Sequence, residues 1–374
     1  MKLNTKLTST AVLFASLLLS SNAWALWGEQ REIYTSASFL ARGGAMTSNV
    51  DDYNAIFVNP SGIVAVEEPI LNFEFQIEGS SDIGENMTAL FGYENNWHAE
   101  NQADIEALRN KNTRAKVGFL AAYIRQNFAF AMVSNGALDT AYDDATVPNV
   151  HAFGVGDVDI QFSGATSFLE DKRLKIGGTA KILYRTARTG FLTYDELATQ
   201  GLKPSGPYTD EGIAFSFDVG TQYAWKYANY DISVGLAALD LATPYGIQTK
   251  FLGSTTGKRP PIMPARIVAG TGLTVYNLFS GIRLRTNLDI VKSLTRHETS
   301  IIDWIHWGAE FKLPMYLALR GGINQGYWTA GMSVTYWILE ASFATYAENT
   351  AIYDRDLGRM KSNRRYLFQF SFYL

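Results

Sequence analysis

The sequence contains no cysteine, which excludes a disulfide framework, a thiolate metal site and a cysteine nucleophile. Charged residues are scarce, at 18% of the chain, and the formal net charge of −4 excludes the basic surface that nucleic-acid binding requires. Long apolar runs are also lacking, because a mean hydropathy of −0.06 is too low for a polytopic helical membrane protein. Aromatic residues are abundant instead, at 13% of 374 residues. This composition is typical of a transmembrane β-barrel, in which only alternate residues must be apolar.

The first 25 residues have the features of an export signal. Lys2 and Lys6 give a basic start, Ala11 to Leu19 is apolar except for Ser16, and Ala23-Trp24-Ala25 matches the pattern of a cleavage site. The apolar run is too short to span a bilayer of ~30 Å as a helix, so a retained anchor is the weaker interpretation. We therefore expect cleavage after about Ala25 and export from the cytoplasm.

The rest of the chain shows segments with a period of two. In the last ten residues, Tyr366, Phe368, Phe370, Phe372 and Leu374 fall on one face of a strand, and Gln369 and Ser371 fall on the other. Such an aromatic strand would aggregate at the edge of a soluble sheet, whereas in a closed barrel it faces lipid. A large soluble β-sandwich or solenoid is the alternative.

Counting such segments predicts an all-β fold, a transmembrane antiparallel β-barrel of about 14 strands over residues 69–374. The predicted strands are 69–79, 114–125, 127–138, 156–168, 172–188, 212–226, 229–241, 262–276, 278–292, 302–312, 315–322, 326–337, 338–347 and 364–374. Long connections alternate with very short ones, as in outer-membrane barrels, except at the turn Asn324-Gln325. Aromatic residues collect beside the short turns and predict a girdle on the periplasmic side: Tyr223, Trp225, Tyr227, Tyr230, Tyr276, Phe279, Trp337 and Phe372.

Residues 26–68 lack the strand pattern and contain a cluster of small and polar residues. The cluster runs from Ala41-Arg42-Gly43-Gly44-Ala45 through Asp51-Asp52 to Asn59-Pro60-Ser61-Gly62-Ile63. It resembles the N-terminal signature of the FadL-type outer-membrane transport proteins and of their TraF-like and PorV-like relatives. Ser61 replaces the usual alanine, and Arg42 sits directly against the glycines, which shortens the first half of the signature. A weaker resemblance to the same proteins lies in Leu319 to Tyr327.

The resemblance implies that residues 26–68 form a plug or hatch inside the barrel lumen. The residues of this motif are Arg42, Gly43, Gly44, Asp51, Asp52, Asn59, Pro60 and Gly62. The glycines permit close packing against a wall, and Asn59 with Pro60 is typical of a turn. Arg42 and the two aspartates are expected to bond lumen groups such as Glu74, Arg283 or Arg285. The alternative is a periplasmic tail whose charges face water.

The strand pattern places charges of both signs on the lumen face. The predicted set is Glu74, Asp157, Asp159, Lys175, Lys181, Arg185, Asp218, Arg283, Arg285 and Asp289. These charges fit either a wet channel or a closed network of ion pairs.

No catalytic site, metal site or cofactor is predicted. His98, His151, His297 and His306 are scattered without the spacing of metal ligands. A serine–histidine pair of His151 with Ser134 or Ser163 has nothing to orient it. Gly154-Val155-Gly156 and Gly270-Thr271-Gly272 lack the third glycine of a nucleotide loop. Residues 98–110 are predicted to form a polar helix in a surface loop.

We therefore expect a barrel without enzymatic activity in the outer membrane of a Gram-negative bacterium. The FadL-type resemblance implies a channel for passive uptake of small hydrophobic molecules, such as long-chain fatty acids, through a hatch-gated lumen. The alternatives are a general polar porin and a non-transporting scaffold for secretion or conjugation. The expected partners are outer-membrane lipids, a hydrophobic ligand and, through the C-terminal strand Tyr366-Leu374, the barrel-assembly machinery. We expect a monomer and no contact with nucleic acid.

Overall fold

A computed structural model describes residues 32–81, 112–142, 150–192, 209–241, 243, 245–251, 259–279, 281–294, 300–349 and 362–374. The export signal and its cleavage site lie outside these residues, as do the polar helix predicted at 98–110 and two of the four histidines, His98 and His297. Among the residues described, no helix is long and apolar enough to cross a membrane.

The chain forms one antiparallel sheet that closes on itself. The last strand pairs with the first, with Phe372 opposite Phe73, and each strand otherwise pairs with its neighbours in the chain. Of the fifteen strands in the sheet, β8 only flanks the end of β6, so fourteen form the ring. The predicted 14-strand barrel is confirmed.

The strands are β1 Ile70–Ser80, β2 Asn112–Arg125, β3 Phe128–Tyr142, β4 Val150–Phe168, β5 Leu174–Leu192, β6 Thr209–Lys226, β7 Tyr230–Leu241, β8 Ile247–Gln248, β9 Arg266–Val275, β10 Arg283–Ser293, β11 Ile305–Lys312, β12 Leu317–Asn324, β13 Tyr327–Tyr336, β14 Leu339–Asn349 and β15 Ser362–Tyr373. Within residues 32–69, two short α-helices, α1 (Ala37–Ala41) and α2 (Ala55–Val58), and a 3-10 helix, Pro60–Ala65, precede β1. Two more 3-10 helices cover Glu170–Lys172 and Ile301–Trp304.

Each of the fourteen predicted strands corresponds to one observed strand, but three begin three or more residues later than predicted. β9 begins at Arg266 because residues 259–265 fold inward and bury Met263. β10 begins at Arg283 because Asn277 and Gly281 take positive φ angles of 56° and 89° and make a wider turn. β11 begins at Ile305 because a capping box between Ser300 and Asp303 starts a 3-10 helix.

The two faces of the strands differ as the alternation predicted. In β1, Phe73, Phe75 and Ile77 point outward and remain 37%, 42% and 48% exposed, whereas Asn72, Glu74 and Gln76 are buried inside. An exposed apolar outer surface around a buried polar interior is the arrangement of a membrane-spanning barrel.

The barrel has two unlike ends. At the short-turn end, the strands are joined by tight connections such as 126–127 and 337–338. At the long-loop end, the connections are longer, except for the two-residue turn between β12 and β13. The aromatic residues of the predicted girdle flank the short-turn end, where Tyr227 stacks on Tyr230 with ring centroids 4.7 Å apart.

The wall is also uneven in height. β4 and β5 each have 19 residues, whereas β11 and β12 on the opposite side have 8.

Candidate functional site

Residues 32–69 are called here the N-terminal segment. The segment lies inside the barrel up to Val66, and its last three residues are exposed. Its apolar side chains, among them Ile33, Met46 and Ile56, form one buried cluster with inward-facing side chains of the wall such as Leu120 and Leu183. The segment therefore supplies much of the apolar core of the barrel.

The segment sits against inward-facing glycines. A Cβ atom on Gly177 would lie 2.5 Å from the carbonyl carbon of Pro60, and one on Gly235 would lie 2.5 Å from the carbonyl oxygen of Thr47. Further glycines of this kind are Gly220, Gly308, Gly322 and Gly331. These positions belong to six strands around the ring, so the wall is shaped to receive the segment.

Arg42 and the two glycines after it form the turn that ends α1. Gly43 and Gly44 have φ angles of 64° and 76°, a conformation that favours glycine. The buried Arg42 guanidinium donates from Nη2 to Oδ1 of Asn287 at 2.6 Å, so it does not bond Glu74, one of the lumen groups proposed for it. Burial lowers the pKa of Arg42. The carbonyl oxygen of Gly43 lies 2.9 Å from Nδ1 of His306.

Asp51 and Asp52 have different environments. Asp51 pairs with Arg285, whose Nη1 donates to Oδ1 at 2.7 Å, and this is one of the ion pairs expected from the sequence. Burial alone would raise the pKa of Asp51, but the Arg285 guanidinium outweighs it and holds that pKa below its usual range. Asp52 accepts from the backbone N–H of Asn54 at 2.9 Å. Burial and the neighbouring Asp51 raise the pKa of Asp52.

Asn59, Pro60 and Gly62 fix the turn before β1. The Asn59 side chain accepts from the N–H of Ser61 at 3.2 Å and caps the 3-10 helix, where Pro60 takes the first position. The amide of Asn59 also donates to the carbonyls of Thr47 and Thr221 at 2.9 and 3.1 Å. A Cβ on Gly62 would lie 2.5 Å from the carbonyl oxygen of Val50, so the turn packs tightly on its own segment.

Two wall carboxylates hold the segment by hydrogen bonds. Asp289 accepts from the backbone N–H groups of Met46 and Thr47 at 3.0 and 2.9 Å. Glu74 accepts from the Tyr34 hydroxyl at 2.7 Å and from the Gln369 amide at 2.9 Å. Both carboxylates are fully buried, so their bonds to the segment are shielded from water.

Most of the remaining predicted lumen charges are paired with one another. Arg185 donates to Asp157 at 2.7 Å, and the Lys181 ammonium lies 2.7 Å from Asp218. Asp159 is buried and bonds the side chain of Gln161. Lys175 and Arg283 are half-buried near the short-turn end. The wall on this side is therefore a network of ion pairs.

Asp240 joins this network through a bulge in β7. The register between β6 and β7 shifts there, and Asp240 has a φ angle of 56°. Its carboxylate reaches Lys181 at 2.8 Å and Arg266 at 2.8 Å, and Arg266 also pairs with Glu32 of the N-terminal segment.

Part of the connection between β7 and β9 also folds inward. Tyr245 and Met263 are buried, and the Arg185 guanidinium donates to the carbonyl of Pro261 at 2.8 Å. This connection joins the same apolar cluster as the N-terminal segment.

A cavity lies between the N-terminal segment and the long-loop end. Phe39, Leu40, Phe57 and Val58 of the segment form an apolar floor, and wall residues such as Val268 continue it.

The upper wall of the cavity is charged. Arg114 pairs with Glu78 at 2.9 Å, and Arg365 pairs with Glu348 at 2.9 Å. Lys116 also lines the cavity and is buried. The cavity thus has an apolar end at the segment and a polar end toward the long loops.

Several of these residues were missed by sequence reasoning. Glu78 lay on the predicted inner face but carried no signal for its partner Arg114, and Asp240 depends on a bulge that has no sequence signature here. The inward-facing glycines could have been found from strand parity, because they share the phase of the lumen-facing charges. No cluster that could bind a metal occurs within the described part of the chain.

The fold is shared with solved hydrocarbon channels. The TodX monoaromatic hydrocarbon channel deltaS2 mutant has a TM-score of 0.53 at 12% identity, over 92% of this chain and 99% of its own. The P. putida toluene transporter TodX has a TM-score of 0.50 at 12% identity, over 91% and 98%. The CymD monoaromatic hydrocarbon channel has a TM-score of 0.50 at 10% identity, over 91% and 97%. No protein-family model matches the sequence, and a search of curated proteins gives no significant match.

The backbones of these structures and of this chain superpose over almost the full length of both chains. The sequence identity is low, so the similarity shows only the fold. The chain has the fold of the FadL-type channels.

Proposed function

We propose that this protein is an outer-membrane channel for the passive uptake of small hydrophobic molecules. The observation that carries the proposal is the cavity with an apolar floor inside a closed barrel. The long-loop end would face the medium and the short-turn end the periplasm, as in other outer-membrane barrels. The solved channels with the same fold support a role in transport, since their names describe hydrocarbon channels and a toluene transporter.

The polar end of the cavity favours a molecule with a hydrogen-bonding head. A long-chain fatty acid would place its chain over Phe39 and Phe57 and its carboxylate near Lys116. A monoaromatic hydrocarbon would use the floor alone and leave the charged wall in contact with water. Fatty acids or similar amphiphiles are therefore the first substrates to test.

The N-terminal segment would act as the hatch of this channel. Its contacts with Asp289, Arg285 and the inward-facing glycines hold the segment across the lumen. A molecule in the cavity would therefore reach the periplasm only after the segment moves, or through an opening in the wall. The paired lumen charges support this closed arrangement over a general polar pore.

Because the chain has no cysteine, single cysteines can test the cavity directly. Val268→Cys places a thiol in the cavity wall, and Ile267→Cys places one on the outer face of the same strand. After treatment with a bulky thiol reagent, we expect cells with Val268→Cys to lose uptake of a labelled fatty acid and cells with Ile267→Cys to keep it. Equal uptake in cells with and without the protein would refute the proposal.

Two further measurements distinguish the other functions. Steady single-channel conductance of the purified protein in planar bilayers would favour a polar pore. Copurification of a stoichiometric partner, together with unchanged uptake, would favour a scaffold.

A further inference from the structure

Two basic side chains lie on the lipid-facing surface at the long-loop end. Arg364 is the third residue of β15 and shares the outward face of Tyr366 and Phe368. Lys292 is near the end of β10 and shares the outward face of Leu288 and Ile290. A cation on this face is costly within the hydrocarbon layer, so each must reach the polar boundary of the membrane.

Each of these cations lies on the ring of a tryptophan. The guanidinium carbon of Arg364 is 3.8 Å from the centroid of the Trp328 ring, and Nη1 donates to the carbonyl oxygen of Trp328 at 2.9 Å. The ammonium of Lys292 is 4.0 Å from the centroid of the Trp304 ring. The indoles fix both cations at the level where tryptophan is enriched, the interface between membrane and water.

The Arg364 guanidinium has hydrogen-bonding capacity left over. Nη1 bonds the Trp328 carbonyl, and no carboxylate of the described residues pairs with Arg364. Nε and Nη2 therefore remain able to bind an anion from outside the chain. A guanidinium binds phosphate through two parallel hydrogen bonds, a geometry that a lysine cannot provide.

The surface next to Arg364 suits acyl chains. Trp328, Ile323 and Trp307 occupy neighbouring strands in one hydrogen-bonded row and point outward, with exposed fractions of 58%, 41% and 44%. Ile301 and Ile302 of the 3-10 helix extend this apolar surface on the side of Lys292 and are 68% and 50% exposed. A cation beside an exposed apolar row matches a lipid with a phosphate head and acyl tails.

We propose that Arg364 with Trp328, and Lys292 with Trp304, bind the phosphate groups of a phosphorylated glycolipid in the outer leaflet, of the lipid A type. This proposal rests on the outer-membrane location given under the proposed function, but not on the transported molecule. The lipid would bind outside the barrel, on the side where the wall is lowest.

The test measures binding of lipid A to the purified, folded protein in detergent by native mass spectrometry. We expect bound lipid A in the unaltered protein, about fivefold weaker binding for Arg364→Gln, and a further loss for Arg364→Gln with Lys292→Gln. Arg364→Lys should recover part of the affinity, because it keeps the charge and loses the paired hydrogen bonds. Lipid A without its phosphates should bind no better to the unaltered protein than to the double variant.

The matched control is Arg125→Gln, which removes an exposed, outward-facing cation at the short-turn end. This variant should bind lipid A as the unaltered protein does. Equal binding of the dephosphorylated lipid, or equal loss in Arg125→Gln, would overturn the proposal. A change in mobility on heating shows that each variant is folded. Uptake is measured separately, so loss of the lipid site and loss of transport remain distinguishable.

Discussion

At the scale of single residues, Asp51 and Asp52 act in opposite directions on the N-terminal segment. The ion pair with Arg285 lowers the pKa of Asp51, so its contribution to stability is present above about pH 3.9 and is lost as the pH falls through the lowered pKa. Burial and Asp51 raise the pKa of Asp52, so its contribution is present at low pH and is lost as the pH rises through the raised pKa.

Replacing each aspartate by asparagine should therefore change the stability of the segment in opposite directions. Asp51→Asn should weaken the segment at pH 7 by about 1–2 kcal/mol, because it leaves the Arg285 guanidinium without its partner. Asp52→Asn should strengthen it at pH 7, because the variant removes a charge that burial disfavours. Hydrogen exchange of the segment's amides measures both changes. Faster exchange in both variants would contradict the assigned environments.

The inward-facing glycines give a second prediction at this scale. In Gly220→Ala, the new methyl group would clash with the Asn59 side chain and Pro60, so we expect the segment to lose about 1–3 kcal/mol of local stability. Gly136→Ala is the control, because a Cβ there meets no atom within 4 Å. Trypsin cleavage at Arg42 in intact outer membranes reports the result. Equal cleavage rates in the two variants would show that close packing of the segment against Gly220 does not stabilise it.

At the scale of elements, Asp289 joins the loop after α1 to β10. Asp289→Ala removes the acceptor of two backbone N–H groups, so the amides of Met46 and Thr47 should exchange on the order of tenfold faster or more. Asp231→Ala at the short-turn end removes a carboxylate that bonds only Tyr276 among the described residues, and should leave these amides unchanged. Unchanged exchange in Asp289→Ala would mean that other contacts hold this loop.

The strands were predictable because lipid imposes a strict rule on them. Alternation in β1 and β15 identified both the elements and their faces, since every second side chain must be apolar where it meets hydrocarbon. The inward folding around Met263 was not predictable in the same way. A loop segment that enters the lumen has no repeating pattern of apolar residues. Its contacts depend on which strands the register of the sheet places next to it.

The site was predictable in part for a related reason. Strand parity placed Asp157, Arg185 and Asp289 on the inner face, where the structure also has them. It could not pair them, because partners across the lumen are set by the stagger of the whole barrel. Asp51 with Arg285 was among the pairs considered, whereas Arg42 bonds Asn287, a neutral residue that charge alone could not select.

At the scale of the whole molecule, a cross-link tests whether the N-terminal segment must move for uptake. A Cβ on Gly272 would lie 2.5 Å from Oγ of Ser48, so Ser48→Cys with Gly272→Cys places two thiols within reach of a disulfide. We expect the oxidised double variant to take up no labelled fatty acid and the reduced one to recover.

Ser48→Cys alone is the control, and oxidation should leave its uptake of labelled fatty acid unchanged. Normal uptake by the cross-linked protein would mean that molecules leave the cavity by another route, such as through the wall.

The unequal wall has a mechanical consequence for the surrounding bilayer. A spanning strand needs about 9–11 residues, yet β11 and β12 have 8, whereas β4 and β5 have 19. The bilayer must therefore thin beside β11 and β12, or the barrel must lean until the short wall reaches across it. Either response makes the deformation one-sided. The protein would then have a fixed tilt in the membrane. Along its short wall it would favour neighbouring proteins whose membrane-spanning height is similarly small.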